Sequence, residues 1–446
     1  MAISRILVVG SGGREHALAW RLARDAHAPH VIVTPGNDGM ARTFERLDVS
    51  ETDAAGIVRA AREHAVELVV VGPESALAAG VSDALVEAGI PCFGASRAAA
   101  RLESSKWFAK EVMREAGVPT ARAFAWATEA EAFAALETLG APHVVKADGL
   151  AAGKGVLVTS DLAEARAFAA DCLSGSRFGA QGRVVIEEFL RGEEASVIAL
   201  CDGEHFLLLP PARDHKRAFD GDAGPNTGGM GAVAPAPVVT REIERVTAER
   251  VVAPMLRTMA ARGTPYVGAL YCGLMVRSTH AHSTEAGSLG PVAVVEFNAR
   301  FGDPETQAML PLVVGDFSAA LAAAAQGRLA PDALSRGSGG AVTIALVDEG
   351  YPVSTFGTGT IEGLDALEGR GDLFVFHAGT RRDGDTWRVK GGRAAYVTAT
   401  GENAATARER AYAACATLRG AHWRMRSDIG AGPGVPAATQ HGMGGQ

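Results

Sequence analysis

Val294–Gln307 reads VVEFNARFGDPETQ. It opens as an apolar strand and turns abruptly polar, with an acid, an amide and a guanidinium at alternate positions: Glu296, Asn298 and Arg300. In an extended strand, residues two apart face the same side. These three therefore project together, while Phe297 and Ala299 face the other way. A carboxylate and an amide oxygen are hard oxygen ligands of the kind Mg²⁺ prefers, and Mg²⁺ takes one or two such ligands beside substrate phosphates. Arg300 adds a planar fork of donors suited to phosphate or carboxylate oxygens. The plain alternative is a polar strand face in water carrying an incidental ion pair, so the rest of the chain has to decide.

The chain has 446 residues, room for about three domains of typical size. Its 47% hydrophobic content is that of a globular protein with real cores. A net charge of −8 without a basic stripe excludes nucleic acid as the main partner. The 5 cysteines, Cys92, Cys172, Cys201, Cys272 and Cys415, show no CxxC spacing. They read as reduced thiols in the cytoplasm, with no zinc site. The opening MAISRILVVGSGG is too short an apolar run for a signal peptide, and no stretch is long and apolar enough to span a membrane.

RILVV is a buried-type strand running into the glycine turn and amphipathic helix of GSGGREHALAWRLAR. VIVTPG, ELVVVGPE and IPCFGAS give three more strands, with helices between them such as AAGIVRAAREHA and ALAAGVSDALVEAG. Strands alternating with helices predict an α/β unit with a doubly wound parallel sheet, assigned to residues 1–121. Residues 122–192 read as a small α+β unit. In it, HVVKADGLAAGKGVLVTS makes two strands joined by a glycine-rich loop. Residues 193–330 form a larger α+β unit that carries the Glu296 strand. Residues 331–428 read as a small β-rich domain closed by the helix NAATARERAYAACATL, and residues 429–446 as a disordered tail.

Four further segments could carry chemistry. In VVGSGGREHA, Gly10 and Gly12 begin a dinucleotide fingerprint, but Glu15 replaces its third glycine and the second strand ends in TPGN, without an acid to grip a ribose. What survives is a glycine turn at a helix N-terminus, a phosphate-binding geometry, with Arg14 beside it and Glu74 at the same sheet edge. VVKADGLAAGKGVLV resembles a P-loop without matching it: three residues, not four, separate Gly149 from Gly153, Gly155 replaces the Ser/Thr, and a strand follows. It reads as a glycine hairpin over phosphates, with Lys154 at its tip and Lys146 below. VVIEEFLRGEEASV ends a strand in acids, among them Glu187 and Glu194. RDHKRAFDGDAGPNTGGMGA offers a substrate-capturing segment of Asp214 and a glycine cluster whose backbone permits close approach. His215 is a conceivable base there, although a loop histidine is more often incidental.

Taken in order, the α/β unit, the AAGKG hairpin, the EEFLRGEE segment and the E-x-N-x-R strand resemble the ATP-grasp ligases. More narrowly, GSGGREHALAW, VVGPE, VKADGLAAGKGV, IEEFLRGEEAS, DHKR, GPNTGGMGA and EFNARFGDPETQ resemble the phosphoribosylamine–glycine ligase family, from residue 3 to about 428. The resemblance implies a two-part ATP-grasp core. It also implies ligation of glycine to 5-phosphoribosylamine at the expense of ATP, through a glycyl phosphate, with Mg²⁺ or Mn²⁺, by a monomer acting on small molecules.

By the same resemblance Lys106 and Lys146 meet ATP phosphates under a cover formed by Gly149, Gly153, Lys154 and Gly155. Glu187 and Leu190 are the adenine hinge and Glu194 the ribose acceptor. Glu296 and Asn298 hold the metal, and Arg300, Lys146 and Asp214 are catalytic. Gly12, Gly13, Arg14 and Glu74 meet the phosphoribosylamine. Asp214 with Asn226, Thr227, Gly228, Gly229, Met230 and Gly231 meets glycine and the acyl phosphate. RSTHAHSTEAGSLGP, just before the Glu296 strand, is longer than the family's usual turn. Another ATP-grasp carboxylate–amine ligase or carboxylase of purine metabolism stays open as an alternative.

Overall fold

The apolar runs of the first hundred residues pair as parallel strands in a computed structural model that describes residues 3–151, 155–176, 182–277 and 290–431. The sheet runs in the order Glu45–Arg46, His30–Pro35, Arg5–Gly10, Leu68–Val71, Cys92–Phe93, every pairing parallel. The central strand is apolar on both faces, with Ile6, Leu7, Val8 and Val9 fully buried, as helices on both sides of a doubly wound sheet require. Glu45–Arg46 was not foreseen, because both residues are exposed and carry no strand pattern. ALAAGVSDALVEAG, expected as one helix, is two, Glu74–Ala79 and Val81–Glu87. Gly80 separates them at φ 83°, a left-handed conformation that glycine adopts at little cost.

The small α+β unit is an antiparallel sheet in the order Ala123–Trp126, Val184–Glu187, His143–Ala147, Val156–Thr159. Helices Glu129–Leu139 and Leu162–Ser174 cover it. Its core, built on Leu136, Val145, Phe168 and Ile186, is separate from the rest. The larger unit pairs Phe206–Leu208, Glu193–Asp202, Val267–Val276 and Val292–Asn298. Phe297 and Ala299 on its back share one core with Leu7, Val69 and Phe108. The apolar side of the Glu296 strand is therefore buried against the N-terminal unit, which leaves the polar side for the cleft.

The C-terminal sheet is not confined to its own segment. Gly340–Asp348, Arg393–Gly401 and Leu373–His377 continue, through Gly231–Ala234, to Arg213–Asp214. Strands flanking the glycine cluster are thus stitched into the C-terminal layer. The chain also stays packed past 428: Ile429 is fully buried, and its N–H donates to Tyr412 Oη at 2.9 Å. This corrects the start of the expected tail, since one apolar residue amid glycines gave no periodic signal; residues 432–446 lie outside the described ones. The free cysteines Cys92, Cys172, Cys201, Cys272 and Cys415 are all buried. Among the described residues no helix is long and apolar enough to cross a membrane.

Candidate active site

A cleft of about 680 Å³ lies between the small sheet, the larger sheet and the ends of the N- and C-terminal units. Glu296, Asn298 and Arg300 all line it, as their alternate spacing predicts. The register shows how: a bulge places Val295 outside the pairing, with Val294 opposite Leu274 and Glu296 opposite Gly273. A bulge re-aims the strand locally. Here the Val295 carbonyl accepts from Lys146 Nζ at 3.1 Å. Burial opposes the charge on Glu296, yet Lys106, Lys216, Lys146 and Arg300 hold its carboxyl down at about 2. Lys106 Nζ is the paired ammonium, 3.7 Å away.

Both phosphate-type lysines are placed by ordinary helix and strand rules. Helix Lys106–Ala116 starts at Ser105, whose hydroxyl accepts from the Phe108 N–H at 3.1 Å, and Asp148 accepts from the Trp107 N–H at 3.0 Å. Such caps fix the first turn, and with it Lys106 at the cleft. One turn on, Lys110 points inward. It shares the buried Glu187 carboxylate with Lys146, at 3.2 and 3.0 Å. Burial, together with the neighbouring Lys146 and despite Glu187, brings Lys110 down to about 8. Glu187 remains ionised below its usual range despite burial, because Lys146 and Lys110 bracket it. Its side chain therefore orients lysines rather than reading a base. Gly149, Gly155, Leu190 and Glu194 line the cleft, and Glu194 pairs with Lys216 at 2.7 Å. Gly153 and Lys154 lie outside the described residues, as does most of the long turn before the Glu296 strand, 278–289.

At the other end, Arg300 bridges Glu103 at 3.0 Å and Glu74 at 3.4 Å, and Glu74 reaches Arg14 at 3.8 Å. Burial notwithstanding, Arg300 and Arg14 hold Glu74 at about 2. Arg14 also donates to the Phe301 carbonyl at 3.1 Å. The glycine turn before it is not an open phosphate cradle. Glu15, standing where the fingerprint has glycine, accepts from the Gly12 N–H at 2.8 Å. A Cβ on Gly13 would fall 2.3 Å from the Tyr396 ring. Gly12 and Gly13 are thus packing positions, and Arg14 and Glu74 are the pair that reaches the cleft.

The substrate-capturing segment divides likewise. Asp214, Asn226, Thr227 and Gly228 line the cleft. Asp214 Oδ1 is buried without a partner. Burial and the nearby Glu305 push this carboxyl well above its usual range, with Lys216 and Arg393 working against them. A cation beside it would restore its charge. Gly229, Met230 and Gly231 stand behind the cleft lining. Met230 is fully buried in the core. Gly229 is pressed against Pro304 and Asp214, and Gly231 against Thr343 and Ile429. The glycines there serve close packing at positive φ. His215 Nε2 accepts from the Gly430 N–H at 3.1 Å and is buried, which makes it a structural residue rather than a base.

Several site residues carried no readable sequence signal. Arg393, from the C-terminal domain, donates to the carbonyls of Gly228 and Asp303 and pairs with the Asp303 carboxylate at 2.9 Å. The Gly228 N–H donates to Tyr351 Oη at 2.8 Å. Glu103 also lines the cleft, as do Lys216 and Glu305, which lie in the DHKR and EFNARFGDPETQ segments but were given no role of their own. Lys110 alone had a usable clue, its one-turn spacing from Lys106.

Whether the residues suit a divalent ion turns on donor chemistry. Among the described residues no cluster of three or more His, Cys, Asp or Glu could hold one. A carboxylate–amide pair fits an ion that is bound chiefly through phosphates. The Asn298 amide suits its surroundings with its nitrogen on Phe297 O and Glu103, and its oxygen on the side where only donors stand.

Family models of phosphoribosylglycinamide synthetase match in succession: the N domain at residues 4–103, the ATP-grasp (A) domain at 104–306 and the C domain at 341–432. A phosphoribosylamine–glycine ligase of Allochromatium vinosum is 47% identical over 431 residues, 96% of this chain and 98% of that one. Its counterpart from Caulobacter vibrioides is 47% identical over 428 residues, 95% and 97% of the two chains. The crystal structure of phosphoribosylamine–glycine ligase from Thermotoga maritima superposes with a TM-score of 0.81 at 32% identity, covering 95% of this chain and all of that one. The chain belongs to the phosphoribosylamine–glycine ligase family, with its N-terminal parallel sheet, ATP-grasp core and C-terminal domain in that order.

Proposed function

We propose that this chain joins glycine to 5-phosphoribosylamine with cleavage of ATP to ADP and phosphate. A carboxylate is a poor electrophile because its leaving group would be oxide. In this reading a glycine carboxylate oxygen attacks the γ-phosphorus and releases ADP. The sugar amine then attacks the carbonyl carbon of glycyl phosphate, phosphate leaves with the C–O electron pair, and the amine proton passes to solvent or phosphate. The observation that carries the reading is the convergence of Lys106, Lys146, Lys216 and Arg300 on Glu296 in a cleft, with an unpartnered Asp214 oxygen at its edge.

Each residue has a task in this scheme. Lys106 and Lys146 take triphosphate oxygens beneath the Gly149–Gly155 segment. Leu190 and Glu194 face the nucleoside. Asp214 takes the glycine ammonium, the cation that its raised carboxyl awaits. Thr227 and Gly228 line the glycine and acyl phosphate. Arg14 and Glu74 meet the phosphoribosylamine. Arg300 spreads the charge on the transferred phosphoryl group. Glu296 and Asn298 would hold Mg²⁺ or Mn²⁺, which when bound neutralises phosphate charge.

The test is ADP formation with each substrate omitted in turn. It is expected to require both glycine and phosphoribosylamine. Glu296→Ala and Arg300→Ala should each lower turnover about a hundredfold or more. ADP release that ignores glycine and responds to bicarbonate or formate would overturn the assignment in favour of another ATP-grasp ligase or carboxylase.

A further inference from the structure

We propose that Glu103 is a positioning residue for the metal strand, holding the Asn298 amide so that its oxygen faces the cleft. The inference rests on the proposed role of Glu296 and Asn298 as metal ligands. Glu103 lies in a one-turn helix, Arg101–Ser104, of the N-terminal unit, and is 5% exposed. Its carboxylate meets three successive residues of the neighbouring sheet. Oε2 accepts from the Ala299 N–H at 2.8 Å, and Oε1 stands 3.0 Å from Arg300 Nη2. With the Asn298 amide turned to the orientation that its surroundings satisfy, its nitrogen reaches Oε1 at 3.3 Å.

Burial raises the Glu103 carboxyl, while Arg300 and the Ala299 N–H favour its charged form. Ionised, it only accepts, whereas an amide has one donating and one accepting end. Glu103 can therefore bind only the nitrogen of Asn298. The Phe297 carbonyl, 3.2 Å from the same nitrogen, enforces the same choice. The oxygen is left facing away from both acceptors, with its lone pairs turned from Glu103 and the Phe297 carbonyl. The contact on Ala299 fixes the backbone between the amide and the guanidinium, so one carboxylate sets both neighbours. Outer-shell partners of this kind orient a ligand without touching the ion.

The test is Mn²⁺ binding, read by its EPR signal, to the enzyme–ADP complex, with ADP binding in the absence of metal measured alongside. Glu103→Gln should weaken Mn²⁺ binding about tenfold or more and leave metal-free ADP binding unchanged. Asn298→Asp reverses the logic, because it sets an oxygen against Glu103. On that background the Glu103→Gln change supplies the missing N–H donor and should strengthen Mn²⁺ binding. A loss of equal size on both backgrounds, or no loss on either, overturns the proposal. If Glu103→Gln alone does not fold, the double variant decides. A folded double variant that binds Mn²⁺ supports positioning, and an unfolded one shows that Glu103 only holds the fold. Glu296→Ala separates the two readings: undiminished Mn²⁺ binding in that variant removes the metal strand itself, and this role with it.

Discussion

Replacing Arg393 by methionine tests what the C-terminal domain does for the cleft. The guanidinium is buried at the junction, with 19% of its side chain exposed against 17% for Asp303. It pairs with that carboxylate at 2.9 Å and donates to the carbonyls of Asp303 and Gly228. Methionine keeps much of the stem's volume and removes every donor. Asp303 would keep the Gln307 amide, at 2.7 Å, but lose its paired cation. Stripping one partner from a buried ion pair costs about 3–5 kcal/mol, which should appear as a lower urea midpoint. The effect on the site is separable. Gly228 is held by two bonds, Tyr351 on its N–H and Arg393 on its carbonyl. Releasing the second returns roughly one residue's backbone freedom, about 1–2 kcal/mol, and so raises KM for the substrate that orders the segment about fivefold to thirtyfold. The assay is steady-state ADP formation with glycine varied and then phosphoribosylamine varied, beside urea unfolding. Arg393→Lys should recover part of both losses. Lowered stability with both KM values unchanged would show that Arg393 braces the fold and does not set the loop, refuting the reasoning.

Glu187→Gln should strand two buried ammoniums and lower stability about 3–5 kcal/mol, and an unchanged urea midpoint would deny that Glu187 is their counter-charge. Lys110→Met tests the same trio with a defined pH dependence. Its ammonium stands at about 8, against the usual 10.5, so its charge costs the native state about 3 kcal/mol at or below pH 8. That cost fades as pH rises towards 10.5, because the native lysine gives up its proton before the unfolded one does. The stability of the variant relative to the parent should therefore be greatest near pH 7 and shrink by pH 10; equal differences at both would contradict the assignment. Gly229→Ala places a Cβ 2.3 Å from Pro304 and 2.7 Å from Asp214 Oδ1 at φ 113°, and should cost about 2–5 kcal/mol. An unaltered thermal midpoint would show that the segment yields.

Much of this was legible because the sequence repeats its logic at short range. The Arg5–Gly10 run, the alternation of Glu296 and Asn298, and the glycine hairpin each follow from a local pattern. What could not be read is non-local. Arg393 lies in GGRAAYV, a strand with no polar periodicity, and reaches the cleft only because Gly231–Ala234 pairs with Gly340–Asp348. Glu103 looks like any surface acid of a short helix until the Ala299 N–H finds it, 196 positions away. The errors share a cause too. A glycine cluster signals close approach but not what approaches. For Gly229 and Gly231 the answer is protein, and for Gly228 it is the cleft together with Arg393.

The four units also differ in how they are joined. The larger sheet shares one continuous apolar core with the N-terminal unit, and its glycine segment shares strands and a core with the C-terminal layer. Buried pairs across these seams, Arg393 with Asp303 and Glu103 with Arg300, add little net stability but are directional, so they fix where Glu296, Asn298 and Arg300 point. The small sheet has a core of its own. Much of its seat over the cleft is polar: Lys146 on the Val295 carbonyl, and Lys110 on Glu187. Phosphate oxygens drawing on Lys146 would compete with that carbonyl for the same ammonium. In the proposed reading this couples triphosphate binding to the seat of the small sheet, through the carbonyl that the Val295 bulge presents.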